Sequence, residues 1–246
     1  MLNIGNYMKK NKILVLGGSS DIGLSLIKLL LDDNWLVTAH YNNNAKKLKL
    51  LRKRYKNLEL VRLNFRKINS QNCAKIINKN FVGKYDSFTN LIGYLDNKTF
   101  YNTDLKNLID SIKINSLISI IILQKIVKNM LKNKWGRILN CSSIGVKFGG
   151  GKNTFNYSLS KHCLEFIPNS YKDWASSNVL INNLRIGVTS TKLHKRILKR
   201  NLKERTKLIP MKRMAKPQEI ASYIFSLISE QNTYITGQTL SISGGE

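Results

Sequence analysis

The stretch Ile13-Leu14-Val15-Leu16-Gly17-Gly18-Ser19-Ser20-Asp21-Ile22-Gly23 decides the fold. Four apolar residues in succession suit a strand covered on both faces, and the glycine and serine turn opens into a segment of helical spacing predicted from about Ile22 to Leu31. The alternation continues outward. Further strands are predicted at Leu36 to His40, Leu58 to Leu63, Ser87 to Ile92, Arg137 to Cys141, Val179 to Leu184 and Thr239 to Ile242. Between them lie predicted helices at Ala45 to Tyr55, Ser70 to Asn80, about Leu105 to Leu131, from Phe155 onward, Lys192 to Lys207 and Pro217 to Ser229. Pro217 suits a first helical turn, whereas Pro168 is expected inside the helix that begins near Phe155 and should bend it.

Short apolar strands separated by helices specify an α/β domain with a mostly parallel, seven-stranded sheet and helices on both faces. A length of 246 residues with 42% hydrophobic and 22% charged composition is ordinary for one such doubly wound domain, 1–246, and carries no mark of disorder. Residues 1–11 read as an N-terminal extension and residues 190–210 as a substrate lid. Lys and Arg number 41 against 14 Asp and Glu, a net charge of +27. A nucleic-acid binder would explain that balance, but the cations are scattered over almost every predicted helix with abundant Asn and Ile, so compositional drift is preferred and no specific nucleic-acid partner is expected. Cys73, Cys141 and Cys163 form neither a CxxC nor a Cys/His pattern, so neither a zinc site nor a disulfide framework is suggested, which fits a cytoplasmic protein. No signal peptide is read at the start. The most apolar run, around Leu117 to Leu123, looks too short to span a bilayer, so no membrane anchor is expected.

Two clusters carry chemistry. At the first, Gly17, Ser19, Ser20, Asp21, Ile22 and Gly23 let the backbone approach a pyrophosphate, whose charge the helix N-terminus would meet, which makes the domain Rossmann-type. Strand two ends in His40, Tyr41, Asn42 and Asn43, followed by Lys46 and Lys47, with no carboxylate for a ribose 2′-hydroxyl; NADP(H) is therefore expected over NAD(H). At the second, Tyr157 and Lys161 stand at i and i+4 on a predicted helix, where a lysine cation would lower the phenol pKa toward a usable acid/base range. Tyr94 and Lys98 repeat the spacing by accident in a Lys-rich chain.

In order along the chain, these motifs resemble the short-chain dehydrogenase/reductase family. The first turn is similar to its TGxxxGxG pattern, with Leu16 for Thr and Asp21 for the middle Gly; Asp21 is expected to cap the helix. The resemblance implies that Asn90 and Gly93, in Asn90-Leu91-Ile92-Gly93, line the cofactor, that Asn64 contacts adenine, and that Gly187, Val188 and Thr191 contact the nicotinamide end. It also implies a Ser that binds the substrate oxygen, for which Ser143 is the choice and Ser142 the fallback, and an Asn, here Asn115, that holds a water in a proton relay. Tyr157 and Lys161 would then be both catalytic and cofactor-binding. The implied activity is the interconversion of a carbonyl and a secondary alcohol, with a small-molecule or acyl-thioester substrate and a homotetramer or homodimer. The C-terminal half is closest to 3-oxoacyl-carrier-protein reductases. A sugar or polyol dehydrogenase, and a non-catalytic dinucleotide-sensing or nucleic-acid-binding protein on the same fold, remain open alternatives. His162 and His194 are read as surface or lid residues.

Overall fold

The opening strand is built as its apolar run dictates. The computed structural model describes residues 11–81, 83–192 and 202–246, and in it β1 (Lys12–Leu16) lies inside a seven-stranded sheet. Leu14 and Leu16 enter one hydrophobic core while Ile13 and Val15 enter a second, and all four are fully buried. Successive strand residues face opposite ways, so a strand without polar alternates requires helices on both sides.

The other strands are β2 (Leu36–Tyr41), β3 (Leu58–Arg62), β4 (Ser87–Asn90), β5 (Gly136–Ser143), β6 (Val179–Ile186) and β7 (Thr239–Ile242). Their order is β3-β2-β1-β4-β5-β6-β7, and every neighbouring pair is parallel. The described helices are α1 (Asp21–Asp32), α2 (Lys46–Arg54), α3 (Ser70–Asn80), α4 (Leu105–Ile112), α5 (Ile118–Lys132), α6 (Phe155–Leu164), α7 (Tyr171–Ser176), α8 (Leu202–Lys207) and α9 (Pro217–Ile228). Leu26, Ile27 and Leu30 of α1 join Ile220 and Ile224 of α9 over one sheet face; Ile77 of α3 joins Ile118, Ile122, Ile126 and Met130 of α5 over the other. The chain winds outward through β2 and β3, then returns to β4 on the far side of β1. Between β1 and β4 the strand order reverses, and at the carboxyl ends there the first loops part to leave a crevice.

Several boundaries differ from the expected ones, each for a local or tertiary reason. β4 stops at Asn90 rather than Ile92, because the Asn90 Oδ1 accepts from the Ile92 amide (3.0 Å) and turns the chain out of the ladder. β5 and β6 run further than expected because they pair as far as Ser143 and Ile186. The helix that carries Tyr157 ends at Leu164, so Pro168 lies outside it and does not bend it. A proline has no N–H and pushes the residue before it out of helical conformation, and the chain restarts as α7 beyond it. Ser20, not Asp21, caps α1: its Oγ accepts from the Gly23 amide at 3.0 Å, while the Asp21 carboxylate accepts from the Lys192 amide at 2.8 Å.

A π turn (Lys113–Leu117) joins α4 to α5, making a helical path of 28 residues from Leu105 to Lys132. Contrary to the expectation from Leu117 to Leu123 alone, this path is long and apolar enough to cross a bilayer. It is a core helix, with 56% of its most apolar window buried against the sheet and its neighbours. Of the predicted extension and lid, residues 1–10 and 193–201, with His194, lie outside the described residues; α8 covers part of the helix predicted at Lys192 to Lys207.

Replacing Ile122, fully buried in α5, by Ala is expected to lower unfolding free energy by about 2–5 kcal/mol in chemical denaturation. Leu50→Ala, at a position 59% exposed, should change it by no more than about 0.5 kcal/mol. Equal effects would mean that α5 is not the core helix described.

Candidate active site

The phosphate-sized turn after β1 is shaped by two glycines. Gly17 has φ of +76°, and a Cβ there would come within 2.8 Å of the Leu91 carbonyl carbon and oxygen. A Cβ on Gly23 would lie 2.8 Å from the Gly17 oxygen. Ser20 closes the turn by donating to the Gly17 carbonyl (2.9 Å) while it caps α1, whose first amides face the crevice. Ser19 and Ile22 flank the cap, half-buried.

His40 supports this turn from beneath. It is buried, stacks on Phe65 with ring centroids 4.5 Å apart, and its Nδ1 accepts from the Gly17 amide at 3.3 Å. Its Nε2 lies 2.8 Å from the Leu63 carbonyl, so this nitrogen carries the proton of a neutral ring. Burial pushes the His40 pKa down to about 4, against a smaller opposing effect of the Leu63 carbonyl. The sequence placed His40 with the ribose-facing residues; the structure makes it a brace for the turn.

Beyond it, Tyr41 is half-buried and Asn42 and Asn43 are exposed, and no Asp or Glu occurs between Asp33 and Glu59. Asn64 is half-buried and its Oδ1 accepts from the Arg66 amide (3.0 Å). Gly93 is exposed at the crevice, but Asn90 is fully buried and both ends of its amide are engaged inside the protein: Oδ1 with Ile92 and Nδ2 with the Asn115 carbonyl at 3.1 Å. The Asn90 side chain therefore braces the end of β4 and is not turned into the crevice.

β5 and α6 bring the chemical groups together. Ser143, the last residue of β5, stands close enough to Tyr157 to act on its phenol, and its Oγ accepts from the Gly145 amide at 3.1 Å. Ser142 faces away, donating to Glu165 Oε1 at 2.7 Å, as strand alternation demands. Of the two serines, Ser143 is the one beside Tyr157. Lys161 is 2% exposed, and its Nζ donates to the carbonyls of Ile92 (2.7 Å) and Cys141 (2.6 Å), 5.8 Å from the centre of the Tyr157 ring.

The electrostatics overturn one expectation. Burial raises the Tyr157 pKa to about 12, opposed by the Ser143 side chain, so the phenol is less acidic here than in water. Burial also lowers the Lys161 pKa to about 8, with Cys141 and Glu165 acting the other way. For both groups the largest cause is burial, which disfavours the charged form.

Asn115 lies in the π turn, fully buried. Its Oδ1 accepts from the Tyr94 amide (2.8 Å), and its Nδ2 donates to the Tyr94 carbonyl (3.0 Å) and the Ser160 hydroxyl (2.8 Å). Its side chain is engaged by protein and its carbonyl accepts from Asn90, so it fastens α6 to the β4 loop. Gly187 is required by packing, since a Cβ there would meet the Ser243 Cα at 2.6 Å. Val188 and Thr191 are buried beside it, with the Val188 carbonyl accepting from Ala215 at 3.0 Å. The carbonyls that hold Lys161 were not legible in the sequence, because a backbone oxygen carries no residue signature.

The turn suits a phosphate ligand: glycines at 17 and 23 let the loop pack directly on neighbouring backbone, where a Cβ would clash, and α1 presents its N-terminus there. Comparison with known proteins points the same way. The family model described as Enoyl-(Acyl carrier protein) reductase matches residues 17–246. The chain is 33% identical over 168 residues to a 3-oxoacyl-[acyl-carrier-protein] reductase of Aquifex aeolicus, covering 68% of this chain and 67% of that enzyme. It is also 33% identical over 165 residues to an acetoacetyl-CoA reductase of an Acinetobacter species, covering 66% of each. Among solved structures it resembles a 3-oxoacyl (acyl-carrier-protein) reductase of Agrobacterium tumefaciens with NADP bound, at TM-score 0.83 and 20% identity, over 96% of this chain and 94% of that one.

The His40 brace has a measurable acid signature. A neutral His40 with a folded pKa near 4 binds fewer protons than the unfolded chain, whose histidine titrates near 6.5. Its contribution to stability is complete above 6.5 and is lost as pH falls from there toward 4. Urea unfolding across that window should show this loss, and His40→Gln should flatten it; identical pH slopes in the two proteins would refute the buried, neutral assignment.

Proposed function

Because the chain belongs to the short-chain dehydrogenase/reductase family, we propose that it is an NADPH-dependent carbonyl reductase that uses Tyr157 as general acid and a 3-oxoacyl thioester as substrate. The observation that carries this reading is the convergence of Ser143, Tyr157 and Lys161 at the carboxyl end of β5, in the crevice that also holds the glycine turn. A reduced nicotinamide bound there would supply a hydride to the carbonyl carbon.

The residues of this chain do the rest. The Ser143 hydroxyl orients the substrate oxygen and stabilises the charge that develops on it. Tyr157 donates the phenol proton to that oxygen, and a pKa near 12 keeps the proton in place at neutral pH until an alkoxide, a far stronger base, appears. The reverse oxidation needs the phenolate and is therefore favoured only at high pH. The Lys161 ammonium would hold the ribose hydroxyls beside Tyr157 and would favour the phenolate left after transfer. Gly17, Ser19, Ser20, Ile22 and Gly23 would hold the pyrophosphate, with Asp21 turned aside onto Lys192; Tyr41, Asn42 and Asn64 would hold the adenosine, and Gly93, Gly187, Val188 and Thr191 the remainder.

NADPH over NADH is supported by the absence of an acid after β2 and by Lys46 and Lys47 at the start of α2. The acyl-thioester substrate is supported by the activities for which the Aquifex and Acinetobacter relatives are named. Leu105, Ile109 and Leu117 are 72%, 51% and 48% exposed along α4 and the π turn, an apolar stripe that suits a homodimer or homotetramer of a cytoplasmic enzyme.

Tyr157→Phe should lower kcat for reduction of a 3-oxoacyl thioester by about 10²- to 10⁴-fold while NADPH binding, followed by fluorescence, persists; full activity in the variant would remove Tyr157 from the mechanism. In the parent enzyme kcat/KM should hold below pH 8 and decline above it, as Lys161 loses its charge. A lower KM for NADH than for NADPH would overturn the cofactor preference.

A further inference from the structure

Parallel strands covered on both sides are normally apolar, yet β5 and β6 present polar residues to α6 in register: Asn140 opposite Asn183, and Ser142 opposite Arg185. All four meet the end of the helix. Asn140 donates to the Leu164 carbonyl at 3.4 Å and Asn183 to the Glu165 carbonyl at 2.6 Å, while the Ser142 hydroxyl oxygen, whose proton goes to Glu165, lies 3.3 Å from the Lys161 carbonyl. The last carbonyls of a helix have no partners within it, so side chains of the sheet supply them. Glu165, at the C-cap, is gripped by the Arg185 fork through Nε to Oε1 (2.8 Å) and a terminal nitrogen to Oε2 (2.6 Å), with Ser142 adding its 2.7 Å bond.

Lys161 and Glu165 are one helical turn apart, and the helix stops there. A carboxylate at a helix C-terminus is unfavourable beside the negative end of the helix dipole, and Arg185 offsets it. We propose that Glu165 and Arg185 are a positioning pair for Lys161: the ion pair locks the last turn of α6 to the sheet, and its two charges hold the ammonium in balance. The role rests on the reading of Lys161 under the proposed function. The titratable or charged groups facing Lys161 are Tyr157 and Glu165 from α6 and Cys141 from β5, with Arg185 of β6 behind Glu165; the exit of β4 contributes the Ile92 carbonyl. Cys141 stays a neutral thiol, its pKa raised to about 11 by burial.

The pair makes a prediction with opposite signs. Glu165→Gln leaves the Arg185 cation uncompensated near Lys161, so the alkaline midpoint of kcat/KM should fall by about half a pH unit or more. Arg185→Gln leaves the Glu165 carboxylate unshielded, and the midpoint should rise by a similar amount. Arg185→Lys keeps the charge and should leave the midpoint in place. A pair that only held the helix would lower activity and melting temperature in both Gln variants without moving the midpoints apart; midpoints that stay put, or move the same way, overturn the proposal. If Glu165→Gln does not fold, Arg185→Gln against Arg185→Lys decides it, and equal midpoints in those two overturn it; if Arg185→Gln does not fold, Glu165→Gln against the parent decides it in the same way. The same shifts should appear in the Cε resonance of Lys161 in ¹³C-lysine-labelled protein, assigned by its loss in Lys161→Met. That readout needs no turnover, so a protein inactive on every carbonyl tested but showing the opposed NMR shifts would sink the proposed reaction and leave the pair standing.

Discussion

An ammonium group placed almost wholly out of water is the constraint around which this molecule is arranged. Lys161 is held by two backbone carbonyls, of Ile92 and Cys141, and a charge in such a position is tolerated only with strong acceptors at hydrogen-bond distance. Those acceptors exist because β4 ends early. Had β4 continued through Ile92, its carbonyl would have been drawn into a ladder; the Asn90 amide turns the chain out instead and leaves that oxygen facing α6. The same crevice, opened where the strand order reverses, is where the glycine turn after β1 arrives. Binding and chemistry meet because both depend on the ends of neighbouring parallel strands.

The helix that carries Tyr157 and Lys161 is fixed at every level. Asn115 in the π turn ties its middle to the loop after β4 through Ser160, and Ser116 donates to the Ser160 carbonyl. A π turn inserts an extra residue into a helix, a distortion often met at functional sites, and here it brings a buried amide within reach of two elements at once. At the far end, Asn140, Asn183, Ser142 and Arg185 hold the terminal carbonyls and the Glu165 carboxylate. A short helix that would fray in isolation is thereby held by polar contacts in place of the apolar packing that serves α1 and α5.

The charge surplus of the chain shapes its surface more than its site. Asp110 alone is approached by Lys113 (3.0 Å), Lys106 (3.2 Å) and Arg66 (3.6 Å), a crowding that follows when few acids serve many cations. The ion pair beneath the catalytic helix is of a different kind: Glu165 is 8% exposed at its side chain, its fork geometry is bidentate, and the solvent screening that weakens surface pairs reaches it little.

Much of this was legible in the residues themselves. The strand, glycine turn and helix at Ile13 to Leu31, the run of seven strands, and the i, i+4 placement of Tyr157 and Lys161 follow from periodicity and backbone chemistry, which are local properties. What local pattern could not reveal was the role of groups whose partners lie far away in the chain. His40 looked like a ribose contact but is turned inward onto Phe65 and Gly17; Asn90 and Asn115 looked like ligand-facing amides but engage each other; and Ser143 was separated from Ser142 only by the alternation of a paired strand. The proton affinities of Tyr157 and Lys161 were likewise decided by tertiary burial, since the proximity of a cation is written in the spacing while the loss of water around both groups is set by everything packed over them.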